Sequence, residues 1–208
     1  MIILSHRGYW VSPEEKNTEK AFSRSFSLGF GTETDVRDCL GKLVISHDMP
    51  GGMEMTLQEL LSLTNGKKLL LAINIKSDGL ADLLNHLMTD YERSSWFAFD
   101  MSITDMRAHL NAGNPVFARM SEVERDPAWF DQIQGIWLDS FDGEWFGCDL
   151  IRNLLDQRKQ VCVVSSELHG RDQTNLWSKL RPLAQEDRLI LCTDLPELAQ
   201  EFFTGVSQ

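Results

Sequence analysis

The chain has 208 residues, a net charge of −11, and 42% hydrophobic against 25% charged residues. That is the composition of a soluble globular protein of one large domain or two small ones. An acidic chain lacks the basic face that a nucleic-acid backbone requires, which excludes nucleic acid as its main partner, but a local basic pocket for a small phosphate-bearing substrate is still compatible with it.

The first element is the apolar run IILSH (2–6). No basic leader precedes it, so a cleaved signal peptide is not expected. No apolar run approaches the ~20 residues that span a bilayer, and no basic amphipathic stretch marks a lipid-docking surface, so no stable membrane insertion is expected. Further strand-like runs follow at GTETDV (31–36), LVISH (43–47), LLLAINI (69–75), WFAFD (96–100), PVFAR (115–119), GIWLDS (135–140), QVCVVSS (160–166) and RLILCTD (188–194). Several are continuously apolar, as parallel strands covered on both faces are. Helical patterns lie between most of them: NTEKAFSRSFSLG, TLQELLSLT with a threonine–glutamate capping box, DGLADLLNHLMTDYE, SITDMRAHL, DLIRNLLDQR, NLWSKLRPLA and PELAQEFF. Cys39, Cys148, Cys162 and Cys192 show no metal-binding spacing and read as thiols in a reducing cytoplasm. Trp10, Trp137 and Trp145 fall near strand ends, where they could line a pocket.

LVISH follows GTETDV too closely for a helix to intervene, so it reads as a hairpin partner. Setting it aside leaves eight strands alternating with helices, which suits a closed (β/α)8 barrel or an open doubly wound sheet. Eight units favour the TIM barrel, although ~200 residues is its lower size limit. With no linker, repeat or low-complexity stretch, residues 1–208 are expected to form one domain.

Nearly every strand-like run ends in an ionisable or amide group: His6 and Arg7, Glu33 and Asp35, His47, Asn74 and Lys76, Asp100, Arg119, Asp139, Glu167 with His169, and Asp194. In a parallel barrel those ends share the face that carries the active site. Any one of them is also explained as a loop boundary; all of them together need a ligand, a metal or one another. Glu33 and Asp35, two apart on a strand, point the same way and suit Mg²⁺ or Ca²⁺. His6 and His47 titrate near neutrality and suit general acid–base work. Arg7 and Lys76 suit an anion. Together these are the parts of a phosphodiester site.

The motifs HRG (6–8), KNTEKAF (16–22), ETD (33–35), SHD (46–48), INIK (73–76) and CTDLP (192–196) run through the chain in the order found in the glycerophosphodiester phosphodiesterases. The sequence therefore resembles that family, within the wider superfamily of phosphatidylinositol-phosphodiesterase-like TIM barrels. The resemblance implies a small barrel with the HD segment in a hairpin insertion after the second strand. It implies His6 and His47 as the acid–base pair, Glu33, Asp35 and the residue at position 74 as ligands of a divalent metal, and Arg7 and Lys76 on the phosphate of a small-molecule phosphodiester. Water or a neighbouring substrate hydroxyl is the nucleophile in such sites.

Three departures from the pattern stand out. The third ligand position, a glutamate in the family, is Asn74, which predicts weaker metal binding or a different ion. Lys16 directly precedes Asn17, and Glu15, one residue earlier, is not counted as a ligand. SSELHGRD (165–172) adds Glu167, His169 and Arg171, which with Arg119 are candidates for binding the substrate head group or phosphate; an ion-paired helix-entry loop explains them equally well. Two other readings stay open: a metal-independent enzyme like the phosphatidylinositol-cleaving phospholipases C, and a non-catalytic barrel that binds an anionic sugar or head group.

Overall fold

The structure, a computed structural model, describes residues 1–92 and 95–205, so the expected domain end at 208 lies outside the described residues. The chain divides into two compact units, Ser5–Val116 and Met1–Leu4 with Phe117–Gln208. The first strand, β1 (Ile2–His6), gives its opening residues to the second unit and Ser5 and His6 to the first.

In the unit Ser5–Val116, α1 (Glu19–Ser27) precedes β2 (Gly31–Cys39), and β3 (Lys42–Ile45) folds back on it antiparallel, pairing Val36 with Ile45 and Cys39 with Lys42. The hairpin expected from the short spacing is therefore present. Next come α2 (Leu57–Leu63), β4 (Leu71–Ile75), α3 (Ala81–Leu87), β5 (Trp96–Phe99) and α4 (Ile103–Ala112). Here the strand order is β5-β4-β2-β1. The β2–β4 and β4–β5 pairs are parallel, and Asp35 lies opposite Asn74. Every residue of β4 and β5 is buried, which explains their unbroken apolar runs. Helix α2 starts at the capping box read from the sequence: Thr56 Oγ1 accepts from the Glu59 N–H, and the Glu59 carboxylate accepts from the Thr56 N–H.

The other unit contains β6 (Phe117–Met120), β7 (Gly135–Leu138), α5 (Cys148–Asp156), β8 (Gln160–Val164), α6 (Thr174–Leu180), β9 (Leu189–Thr193) and α7 (Pro196–Thr204). Its order is β1-β9-β8-β7-β6, with parallel pairing from β6 to β9. Cys162 and Cys192 are buried in β8 and β9. Trp137 is a core residue. No helix among the described residues is long and apolar enough to cross a membrane.

The connection from β6 to β7 differs from the others. It carries no α-helix among the described residues; instead the chain turns at Trp129, which has a φ of 52°. Lys159, only 8% exposed, holds this segment in place of helical hydrogen bonds. Its ammonium donates to the carbonyls of Phe130 (2.6 Å) and Ile133 (2.7 Å) and sits 4.6 Å from the Phe130 ring centre. At the start of β7, Gly135 is required by space: a Cβ there would meet the Phe117 ring at 2.5 Å and the Gln160 carbonyl at 2.6 Å. Lys159→Met keeps the aliphatic stem but leaves two inward carbonyls without their donor. We expect it to lower stability by about 1–3 kcal/mol, read as a lower denaturant midpoint with an unchanged m-value.

Candidate active site

The HRG turn begins the site. After β1 the chain reverses through Arg7 (φ 58°) and Gly8 (φ 80°). The Arg7 N–H donates to the Glu33 carbonyl (2.9 Å) and the Gly8 N–H to Thr32 Oγ1 (2.9 Å), which fastens the turn to β2. Gly8 is demanded twice over, by its φ and because a Cβ would lie 2.7 Å from Ala21 Cβ. Asn17, also at positive φ (59°), donates its own N–H to the Arg7 carbonyl (2.9 Å). Its side chain then donates to Asp35 Oδ2 (2.8 Å) and accepts from Thr34 Oγ1 (2.9 Å). Asn17 was not among the residues singled out from the sequence, although the KNT segment that carries it was.

Asp35 has no exposed surface. Arg7 Nε stands 2.8 Å from its Oδ2 and Lys76 Nζ 3.3 Å from its Oδ1. The charges pair at these distances, but the atoms are poorly aligned, and both Arg7 Nε and Asp35 Oδ1 lack a hydrogen-bond partner. Glu33 is buried nearby. Asn74 Nδ2 donates to its Oε1 (3.3 Å), and His6 Nε2 lies 3.9 Å from its Oε2. Burial first, and then the Asp35 charge, push the Glu33 carboxyl up to about 7, against the opposing pull of His6, Arg7 and Lys76.

Three oxygens here, Glu33 Oε2, Asp35 Oδ1 and Asn74 Oδ1, are buried without a donor. Hard oxygen acceptors in that state suit a hard divalent cation. No group of three or more His, Cys, Asp or Glu residues among the described residues could hold a metal ion. The third oxygen of this set is an amide.

His47 follows β3, whose end is fastened to the same edge of β2 as the HRG turn. The Ser46 N–H donates to the Asp35 carbonyl (3.0 Å), so the residue after it leaves the hairpin next to the carboxylates. His47 Nδ1 lies 2.9 Å from Asp48 Oδ1, and the ring is half-exposed. The Arg37 guanidinium donates to the His47 carbonyl (3.2 Å). Both histidine-bearing strand ends thus attach by backbone hydrogen bonds to β2, one at Glu33 and one at Asp35. Trp10 donates its indole N–H to the His6 carbonyl (3.2 Å).

Glu15 is held elsewhere. Its carboxylate accepts from Arg24 (2.9 Å) and the Val11 N–H (2.9 Å) and pairs with Lys20 (2.5 Å). The hydrogen bond from Arg24, then that from Lys20, hold its carboxyl down to about 2.

Arg119, Glu167, His169 and Arg171 lie in the unit that contains β6 to β9. Asp139, the residue after β7, organises three of them. Its carboxylate accepts from Arg119 Nη1 (2.7 Å), from His169 Nε2 (2.7 Å) and from the Ser140 N–H (2.8 Å). Arg171 donates to the Ser140 carbonyl, and Trp145 donates its indole N–H to the Asp139 carbonyl (2.7 Å). Glu167 points into the framework, where its carboxylate accepts from Ser165, from Thr193 Oγ1 (2.5 Å) and from the Asp194 N–H (3.1 Å).

No protein-family model matches the chain, and a comparison with curated proteins finds no match. Solved structures do match. A glycerophosphodiester phosphodiesterase from Parabacteroides distasonis aligns with a TM-score of 0.72 at 16% identity, over 100% of this chain and 98% of its own. The fold is the small (β/α)8 barrel. A glycerophosphodiester phosphodiesterase from Agrobacterium tumefaciens aligns at 0.71 and 17% identity, over 99% and 100% of the two chains. A phosphodiesterase from Oleispira antarctica, in complex with the product sn-glycerol-3-phosphate, aligns at 0.67 and 13%, over 98% and 97%. The Parabacteroides distasonis and Agrobacterium tumefaciens structures are of the family to which the sequence motifs bear a resemblance.

The Glu15 ion pairs set a pH dependence. Its pKa falls from the ordinary 4.5 to about 2 in the folded chain. The stabilisation they supply is therefore present above pH 4.5 and disappears as pH falls toward 2. We expect the stability difference between the parent chain and Glu15→Gln, measured by denaturant titration, to be largest above pH 5 and to vanish near pH 2.

Proposed function

We propose that the chain is a phosphoric diester hydrolase that cleaves a small glycerophosphodiester-like substrate, with residues 1–208 acting as one catalytic domain. The observation that carries this reading is the set of three donorless buried oxygens, two cationic side chains and two histidine-bearing strand ends gathered on β2. The Oleispira antarctica phosphodiesterase holds sn-glycerol-3-phosphate as product, which makes a glycerophosphodiester the first substrate to test.

In this reading Glu33, Asp35 and Asn74 hold Mg²⁺ or Ca²⁺, which when bound offsets negative charge on the phosphoryl oxygens. Arg7 and Lys76 meet the non-bridging oxygens, Arg7 through its planar fork and Lys76 as a point charge. One imidazole takes the proton of the attacking oxygen, from water or a neighbouring substrate hydroxyl, and the other returns a proton to the departing alcohol. Asp48 holds His47 in the tautomer that keeps Nε2 available. Glu167 keeps its partners Ser165, Thr193 and Asp194 at the ends of β8 and β9.

One observation favours a metal-free variant. Arg7 and Lys76 already pair with Asp35, and burial shifts the Glu33 carboxyl toward its neutral form, so the cluster offsets much of its own charge. Turnover of bis-p-nitrophenyl phosphate with and without EDTA separates the two. Loss of turnover with EDTA supports the metal, retention supports the cationic side chains, and no turnover with any metal ion overturns the hydrolase reading.

His6→Ala and His47→Ala are each expected to lower kcat about 10²–10⁴-fold, measured under saturating substrate; near-parental activity removes that histidine from the chemistry. Asn74→Glu supplies the missing charge and is expected to tighten divalent binding, read by calorimetric titration of Mg²⁺ and Ca²⁺ into the protein without substrate. An unchanged titration takes position 74 out of the ligand set.

A further inference from the structure

We propose that Asp105 and His109 are positioning residues for Lys76: they latch the turn after β4, and the latch opens when His109 takes up a proton. All the residues involved lie in the unit Ser5–Val116. That Lys76 meets a substrate phosphate rests on the hydrolase reading; the latch itself is tested without turnover.

The turn from Lys76 to Gly79 is fastened at each residue. The Lys76 N–H donates to the Val36 carbonyl (3.0 Å) and Ser77 Oγ to Asp38 Oδ1 (2.8 Å), which ties the start of the turn to β2. The start of α4 holds the rest. Ser102 Oγ donates to Asp78 Oδ2 (3.0 Å), and Asp105 Oδ1 accepts from the Gly79 N–H (3.0 Å). Gly79 sits at a φ of 86°, a conformation glycine adopts freely and its neighbours must fix. Asp105 therefore sets where this turn ends. At its beginning the Lys76 ammonium pairs with Asp35 (3.3 Å).

His109, one helical turn beyond Asp105 on α4, has no exposed surface. Its Nε2 stands 3.4 Å from Asp105 Oδ2, and neither atom has a hydrogen-bond partner. Its Nδ1 lies 3.1 Å from Asn114 Nδ2. The Asn114 amide nitrogen also donates to the Ala81 carbonyl (2.9 Å), and its Oδ1 accepts from Asn85 Nδ2 (3.0 Å). The amide cannot turn round without losing both bonds to α3. An amide N–H facing Nδ1 makes that nitrogen an acceptor, which puts the ring proton on Nε2, toward Asp105. A second proton would have to enter at Nδ1, against the Asn114 amide.

The cationic ring is thus incompatible with the closed cluster, although two carboxylates face it, Asp105 from its own helix and Asp78 from the turn. The groups that α3 presents are the Asn85 amide and the Ala81 carbonyl. Burial pushes the imidazole below its ordinary 6.5, against the pull of those two carboxylates. The latch is therefore fully closed above pH 6.5 and weakens as pH falls from there toward the lowered value, because the open form binds a proton that the closed form refuses.

The test is NMR on the full chain across this range. Hydrogen exchange of the Gly79 amide, corrected for its intrinsic rate, is expected to lose protection about tenfold per pH unit as pH falls below 6.5. In His109→Gln the amide nitrogen can still donate to Asp105 but takes up no proton, so protection is expected to stay level. Imidazole nitrogen shifts of the parent chain at neutral pH are expected to show His109 protonated at Nε2 alone. If His109→Gln does not fold, those shifts and the parent's Gly79 profile decide the matter. Level protection in the parent, the same loss in His109→Gln, or a proton on Nδ1 at neutral pH overturns the proposal. With bis-p-nitrophenyl phosphate, the KM of the parent is expected to rise relative to that of His109→Gln as pH falls; an unchanged ratio overturns the link to Lys76. Absence of turnover defeats the hydrolase reading instead, and the exchange result stands apart from it.

Discussion

The charge balance around Asp35 is the constraint on which the unit Ser5–Val116 depends. An ionised carboxylate without solvent is strongly destabilising unless charge and hydrogen bonds compensate it. Asp35 obtains both from three separate segments: Arg7 from the HRG turn, Asn17 from the segment before α1, and Lys76 from the end of β4. Two of those residues, Arg7 and Asn17, adopt positive φ without being glycine. Such backbone strain persists where surrounding contacts enforce it, and it concentrates at functional sites. Glu33 has an amide at 3.3 Å and an imidazole at 3.9 Å, and burial, then the Asp35 charge, raises its carboxyl against the pull of His6, Arg7 and Lys76.

A second buried carboxylate plays a related part in the other unit. Asp139 gathers Arg119 and His169 much as Asp35 gathers Arg7 and Lys76. Around Asp35 the atoms without a hydrogen-bond partner are Glu33 Oε2, Asp35 Oδ1, Asn74 Oδ1 and Arg7 Nε; around Asp139 they include Ser140 Oγ and Arg171 Nε.

Much of this was legible before any coordinates. The nine strand-like runs and seven helical patterns correspond to the strands and α-helices found, because apolar continuity reports two-sided burial and the capping box reports a helix start. The hairpin followed from a connection too short for a crossover. LVISH was read through His47, but β3 ends at Ile45, since Ser46 already turns to bond the Asp35 carbonyl. Asn17 escaped notice because an asparagine before a helix looks like ordinary turn chemistry; only its two side-chain bonds to β2 reveal its place. Glu167 looked like a residue facing a ligand, yet two of its three partners, Thr193 and Asp194, lie about a helix and a strand further along the chain.

By itself the sequence determined the alternation of strands and helices, the hairpin, and the set of histidines, carboxylates and cations at strand ends. These are local properties, encoded in periodicity, spacing and residue type. Only the tertiary structure decided which of those groups neutralise one another. Hydrogen bonding and ion pairing depend on ångström-scale separations between residues remote in the chain, such as Asn74 and Glu33 or His169 and Asp139. A linear pattern shows that charged groups stand at strand ends; it does not show which atoms are left without partners.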